Sequence, residues 1–294
     1  KLDGRIIRIA EIDKLSHVMI KQPSHLFTLI RERVMFVPSF PVYPPCELVK
    51  EKYKRWEPIR SHKGFVSTGS PSLDKILGGG LTYGNYILFI LDTEVPDKVV
   101  FLIGLPFIVN TLMLGGSVAI IPTLVGTLDE LIDVLKPFVD EEKVKHNLGY
   151  VIEETMLEEE RENDIVINKY PNLDVDAHIW EEANEVLRKR GKFLSRIIST
   201  DYLEARYATQ QIPLFRTLTN LILQSHKKGY FSMAFMRKGA QQEKNLIPFV
   251  DGVFRISSKN GAIIMYGEKP CTPIYAVLPD YSAGLGRLKL QLLT

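Results

Sequence analysis

The chain of 294 residues is about two domains' worth at roughly 150 residues per domain, or one large α/β domain with an appendage. Its 45% hydrophobic and 24% charged residues exclude a disordered, collagenous or low-complexity chain, and its two cysteines exclude a disulfide scaffold and a cysteine-rich zinc module. The net charge of +2 is unevenly spread: residues 1–63 hold 13 lysines and arginines against 7 acids, and the remainder holds 24 against 28. A basic N-terminal segment thus precedes a mildly acidic body, which points that segment toward an anionic partner. Few cysteines make a reduced, cytoplasmic setting the expectation. Because the chain begins at Lys1 rather than at a methionine, it is expected to be trimmed or partial, and a targeting signal can lie outside it.

Residues 1–45 alternate strand-like pieces (RIIRIAEI, HVMIK, RVMFVPSF) with turn signals, and Pro38, Pro41, Pro44 and Pro45 then mark a linker or wrapping arm. Residues 47–64, ELVKEKYKRWEPIRSHKG, interleave Tyr53 and Trp56 with Lys50, Lys52, Lys54, Arg55, Arg60 and Lys63. Such a mixture can hold phosphates and stack on a base. The alternative is a solvated segment whose Trp56 packs on the body. From Phe65 the pattern alternates strands and helices. YILFIL (86–91) reads as a buried strand, residues 98–114 as a helix and SVAIIP as another strand. Val99 to Leu128 carries no charge, which raises the question of a membrane span. Pro106, Asn110 and Gly115-Gly116 interrupt it, so a buried helix followed by a buried strand is the better parse.

TLDELIDVLKPFV reads as an amphipathic helix capped by Thr127, with Leu128, Leu131, Ile132 and Leu135 on one face. The acid-rich run 153–164 reads as a solvated loop or helix face. AHIWEEANEVLRKRG reads as a helix with Ile179, Ala183, Val186 and Leu187 inward and Gly191 as its stop. Strand FLSRIIST, helix IPLFRTLTNLILQSHKKG, strand YFSMAFM and the strands DGVFRISS, GAIIMYG and PIYAVLP complete the chain. Alternating strands and helices imply parallel βαβ units.

Residues 66–91, VSTGSPSLDKILGGGLTYGNYILFIL, resemble the opening of the RecA-like ATPase core of the KaiC/RadA group. Ser67, Thr68, Gly69, Leu73, Asp74, Leu77, Gly78, Gly79, Gly80 and Gly84 stand at the places that family's pattern fills. The last third, NLIPFVDGVFRISS and GAIIMYGEKPCTPIYAVLPD, resembles the family's closing strands. The resemblance covers roughly residues 64–280. It implies an α/β, RecA-like P-loop NTPase fold with a mostly parallel central sheet over 64–294, behind a basic N-terminal extension over 1–63. It also implies an oligomer, because family members place a neighbour's edge against the nucleotide site.

The chemistry that the resemblance implies is not where it belongs. A phosphate loop needs glycines that turn backbone N–H groups inward, a lysine for the β/γ-phosphates and a hydroxyl for magnesium. Residues 92–99 read D-T-E-V-P-D-K-V: Asp92 and Asp97 stand for the glycines, Val99 for the hydroxyl, and Lys98 alone is retained. Two like charges ~4 Å apart at an effective dielectric of 20 repel by about 4 kcal/mol, so Asp92, Glu94 and Asp97 oppose a triphosphate. Lys98 has Asp97 or Glu94 at hand as a partner instead. Leu124 and Val125 stand where the family has a water-polarising glutamate, and neither can orient water. Thr200 stands at the end of the Walker B strand with Asp201 one residue later, a displaced ligand or a helix cap. The six histidines show no ligand spacing and neither cysteine has a motif context, so no metal site and no catalytic residue is assigned.

These residues describe a catalytically degenerate RecA/KaiC-like protein, a pseudo-ATPase, similar to the archaeal KaiC-like and RadA-paralogue proteins. Partner binding, assembly or regulation is the expected work, with DNA recombination, repair or signalling as the setting that the resemblance implies. No cofactor is expected; Lys98 and Asp201 are the vestigial nucleotide candidates. A protein partner or self-association is expected, nucleic acid is a possible partner, and no membrane span is expected. The alternatives are an active ATPase with an atypical loop, using Lys98, Asp201 and Lys269 from a neighbour with ATP and magnesium, and a nucleic-acid-binding module using residues 47–63.

Overall fold

A computed structural model describes residues 4–14, 19–20, 22–30, 33–41, 56–122, 127–153, 166–168 and 172–293. Its centre is a ten-stranded sheet in the order β15-β14-β13-β12-β6-β11-β10-β7-β8-β9. The strands from β12 to β9 run parallel: β12 (Gly252–Lys259), β6 (Tyr86–Leu91), β11 (Phe231–Arg237), β10 (Leu194–Ser199), β7 (Ser117–Ile121), β8 (Leu148–Glu153) and β9 (Val166–Asn168). Beyond β12 the sheet turns antiparallel through β13 (Ala262–Lys269), β14 (Tyr275–Asp280) and β15 (Arg287–Leu292). The apolar runs YILFIL and LSRIIS take central positions and every residue in them is buried, as strands covered on both faces must be.

Along β6, Ile87, Phe89 and Leu91 face one apolar layer and Tyr86, Leu88 and Ile90 face the other. The first layer holds α2 (Lys98–Met113), α3 (Leu128–Leu135) and α4 (Glu141–Asn147); the second holds α5 (Leu173–Arg190), α6 (Thr200–Arg206) and α7 (Gln211–Lys228). The uncharged run is helix α2, and all of its residues except Phe101 and Met113 are buried. No described helix is long and apolar enough to cross a membrane. Thr127 caps α3 through a reciprocal box with Glu130 (3.2 and 3.0 Å). On α3 it is Leu128, Val134 and Leu135 that are buried, with Leu131 and Ile132 half-buried. On α5 the buried stripe runs through Leu173, Trp180, Ala183 and Leu187, whereas Val186 is exposed and Ile179 half-buried. The expected stripe was rotated, because Trp180 and Asp176 take the inward positions.

The opening motif frames this core. A short helix α1 (Pro71–Ile76) follows β4 (Phe65–Val66), and the glycines lead through β5 (Leu81–Thr82) into β6. The buried Asp74 carboxylate accepts from the Thr68 N–H and hydroxyl, each at 2.7 Å, and from the Ser67 hydroxyl. Gly69 has φ +75°, and a Cβ there would lie 2.3 Å from the Pro106 carbonyl oxygen on α2. No other residue fits that turn.

The N-terminal segment forms a second antiparallel sheet, β1 (Arg8–Glu11), β2 (Ser24–Ile30) and β3 (Arg33–Phe36). The middle strand lies later than expected: Met19 and Ile20 of HVMIK are irregular, and SHLFTLI pairs instead. Leu26 and Val37 pack with Ile264, Tyr266 and Ala276 of the tail hairpin, and Phe40 and Trp56 join the apolar layer around α2. Asn110, buried in α2, clamps the segment by accepting from the Ile59 N–H (2.7 Å) and donating to its carbonyl (3.1 Å). The excess apolar surface of α2 is therefore partly covered from within the chain.

Candidate functional site at the carboxyl ends of the strands

β6 ends at Leu91 and α2 starts at Lys98, so residues 92–97 form the turn where the resemblance places a phosphate loop. The Asp92 N–H donates to Ile256 O (2.9 Å) and the Val95 N–H to Asp92 O (3.0 Å). Two donors that a cradle needs are spent on carbonyls, and Pro96 has none. Among the described residues Asn260 alone combines a side chain with positive φ, so this turn lacks the left-handed backbone from which an anion nest is built.

Against the turn lies Arg237, the last residue of β11. Its Nη1 donates to Val95 O (2.7 Å) and Asp92 O (3.2 Å), and its Nη2 to the Asp97 carboxylate. Lys238 Nζ stands 3.2 Å from Asp92 Oδ1. The turn thus presents carbonyl and carboxylate oxygens to a guanidinium. A magnesium triphosphate needs the reverse, N–H donors aimed at an anion and a hydroxyl for the metal, so these donor groups do not fit it.

Lys98, the first residue of α2, is 5% exposed, and its Nζ lies 3.5 Å from the Pro41 carbonyl of the N-terminal segment. Asp201 is not the cap of α6. Ser199 takes that place, accepting from the Tyr202 N–H at 3.3 Å. Asp201 Oδ1 instead accepts from the Arg237 N–H at 2.8 Å, tying α6 to β11. Burial holds the Asp201 carboxyl above the usual carboxylate range, against the Arg237 hydrogen bond and charge. Glu204 accepts from the Gln241 and Gln242 N–H groups (3.0 and 2.8 Å), and Glu243 from Gly239 (2.7 Å), so the chain leaving β11 is wired in the same way. Lys269 Nζ donates to Val250 O of its own chain at 2.5 Å. Leu124 and Val125 lie outside the described residues. Among the described residues no cluster of His, Cys, Asp and Glu could hold a metal ion.

Of the basic stretch, Lys50, Lys52, Tyr53, Lys54 and Arg55 also lie outside the described residues. Arg60 and Lys63 are exposed. Trp56 is 2% exposed, within the α2 layer and with the Arg287 guanidinium 5.9 Å from its ring centre. A ring so buried cannot stack on a base, which corrects its candidacy and favours the structural alternative. Arg237 was not foreseen. Its signal was the surplus of acids in residues 92–97, which calls for a cation that the linear sequence does not locate.

No protein-family model matches the chain. It is similar to protein GvpD2 of Halobacterium salinarum, 24% identical over 303 residues, covering 98% of this chain and 58% of that protein. Protein GvpD1 of the same organism is 30% identical over 128 residues, covering 42% of this chain and 23% of that protein. The chain thus spans little more than half of the first relative and less of the second. A KaiC-like protein from Pyrococcus horikoshii superposes with a TM-score of 0.55 at 14% identity, covering 79% of this chain and all of that one. The fold is RecA-like. In that RecA-like frame, residues 92–97 and the end of β11 stand side by side at the carboxyl ends of adjacent parallel strands, where open α/β sheets place their ligands.

Proposed function

We propose that this RecA-like chain is a pseudo-ATPase whose work is assembly or regulation rather than hydrolysis, in a cytoplasmic recombination, repair or signalling setting. The observation that carries this reading is Arg237: the chain's own cation takes the carbonyls and carboxylate of the turn that a phosphate would need to find lined with N–H groups. Neither ATP nor magnesium is a cofactor in this reading. Calorimetric titration of the full chain with ATP at millimolar magnesium tests it, and no heat of binding is expected. A low-micromolar dissociation constant abolished by Lys98→Ala would overturn it in favour of an active ATPase with an atypical loop.

The assembly part rests on the N-terminal sheet. One face buries Leu26 and Thr28, while Leu29, Val34 and Phe36 are exposed on the other beside the half-buried Phe27. Contiguous apolar residues on an outer sheet face mark an association surface, and a second copy of this chain is the occupant proposed. Light scattering of the wild type at high concentration is expected to give a mass above the monomer, returned to the monomer by Val34→Asp with Phe36→Asp. A strict monomer for the wild type removes this part and leaves the first standing.

A further inference from the structure

At the opposite end of the sheet the helices α4, α5 and α7 finish, because a helix joining parallel strands runs back against them. Their last turns are basic: Lys145 and His146, then Arg188, Lys189 and Arg190, then His226, Lys227 and Lys228. Cations at helix C-termini are ordinary, since each terminus carries about half a negative charge. Here the supply exceeds that demand. Between α5 and α7 lies a cleft of about 270 Å³ lined by Arg188, Lys189, Lys192 and Lys228, with Tyr83 at its edge.

Some of this charge is answered within the chain. Lys228 Nζ meets Glu185 (2.6 Å) and Glu181 (3.1 Å), and the Lys228 hydrogen bond is the largest cause holding the Glu185 carboxyl below its usual range. Arg188 stands 3.7 Å from Glu185, and Arg190 donates to the His146 carbonyl at 3.1 Å. Lys189, Lys192 and Lys227 are exposed and have no carboxylate partner among the described residues. Two helix termini and the three carboxylates Glu181, Glu185 and Asp251, the last 3.0 Å from His226, amount to about four negative charges against six lysines and arginines, so roughly two positive charges are left over on a body that is otherwise mildly acidic.

The aromatic contribution is built in. Tyr83 is 64% exposed, yet its ring is seated on Gly229, the left-handed glycine that ends α7. A Cβ at Gly229 would fall 1.7 Å from the ring, so only glycine lets the tyrosine lie there. The Tyr83 hydroxyl donates to the Lys228 carbonyl at 3.3 Å, and its ring meets Phe231 edge-on with centres 6.2 Å apart. The ring is thus fixed against backbone, largely exposed, and on the same cleft as Lys189 and Lys192. A duplex buries its bases and is far too wide for such a cleft. A single strand offers both the phosphates and a free base to stack.

We infer that the cleft between the ends of α5 and α7 is a binding site for single-stranded nucleic acid, with Lys189 and Lys192 of its lining on phosphates, Tyr83 under a base, and the exposed Lys227, outside the lining, on the backbone where the strand leaves the cleft. It lies at the end of the sheet opposite residues 92–97, and it stands or falls independently of whether that turn binds ATP.

Fluorescence anisotropy of the full chain with a labelled 20-nucleotide oligo(dT), and with the duplex of the same length, at a series of salt concentrations tests the assignment. The single strand is expected to bind more tightly than the duplex. Changing Lys189, Lys192 and Lys227 together to Gln should reduce the salt slope by about two, at roughly 0.7 per phosphate contact. Tyr83→Ala should weaken binding about tenfold with the salt slope unchanged. Thermal melts check that both variants fold. The inference is overturned if the wild type does not bind at low salt or binds duplex as tightly. It is equally overturned if polyglutamate competes as well as unlabelled oligo(dT), which would mark an acidic protein as the occupant. Loss of binding on changing Lys50, Lys52, Lys54 and Arg55 to Gln, with the cleft variant unaffected, would move the site to the N-terminal stretch.

Discussion

The two ends of the parallel sheet handle charge in opposite ways. At the carboxyl ends, acids and cations are matched within the chain: Arg237 with Asp97, Lys238 with Asp92 and Arg255 with Glu243. At the amino ends, cations outnumber the carboxylates that reach them, and Lys189, Lys192 and Lys227 point to solvent. A group bonded within its own chain contributes to the fold and has little left for a ligand. An unpaired charge contributes little to the fold and stays available to one. The end at which the RecA-like fold is expected to work is thus internally satisfied, and the opposite end carries the surplus.

That contrast makes substitutions at the two ends differ in kind. The largest expected effect is at Arg237. Changing it to Ala leaves the Val95 carbonyl and the Asp97 carboxylate without that donor and takes one of two donors from the Asp92 carbonyl, and should cost roughly 2 kcal/mol in urea unfolding. A stability change below about 0.5 kcal/mol would mean that the latch is not holding the turn. Gain of ATP binding by that variant would show that Arg237 masks a competent loop, which would break the comparison outright.

The Lys189, Lys192 and Lys227 triple change should behave in the reverse manner. Its thermal midpoint is expected to stay within the range of ordinary surface substitutions, about 0.5 kcal/mol, while the salt-dependent affinity for oligo(dT) falls. A large loss of stability would place these lysines in the fold rather than at a site.

The smallest effect, and the one that sharpens the comparison through pH, is at Asp201. Its carboxyl is held above the ordinary value of 3.8, first by burial, so the folded state binds that proton more tightly than the unfolded state does. Its ionisation therefore opposes folding: the contribution is favourable below the raised folded value and is lost as pH rises through it. Asp201→Asn keeps an acceptor for the Arg237 N–H and removes the charge. The variant should equal or slightly exceed the wild type in thermal midpoint at pH 7, with the gap closing on the way down toward pH 3.8. A variant clearly less stable at pH 7 would show that the ionised carboxylate is needed beside Arg237.

Elements whose signals are local were legible in the sequence. YILFIL could be read as a buried strand because six successive apolar residues fit only a covered one, and Thr127 with Glu130 three residues on announces a capped helix. Gly191 ends α5 as expected. The opening motif was legible as a pattern, and its physical content is the Asp74 knot and the glycine at 69. The middle strand of the N-terminal sheet and the inward face of α5 were misjudged, since short apolar runs fit more than one register until a packing partner chooses.

By itself the amino-acid sequence determined the alternation of strands and helices, the buried character of α2 and the replacement of loop glycines by acids, all of which are properties of neighbours along the chain. It did not determine which cation answers those acids, what clamps the N-terminal segment or where the surplus positive charge collects. Arg237 lies 140 residues from Asp97, Asn110 lies 51 from Ile59, and Tyr83 is seated on Gly229 only because β6 and β11 are adjacent. Such pairings depend on strand order and on the end of the sheet to which each loop returns. Electrostatic complementarity acts over a few ångströms of space regardless of separation along the chain, so these pairings exist only once the sheet has formed.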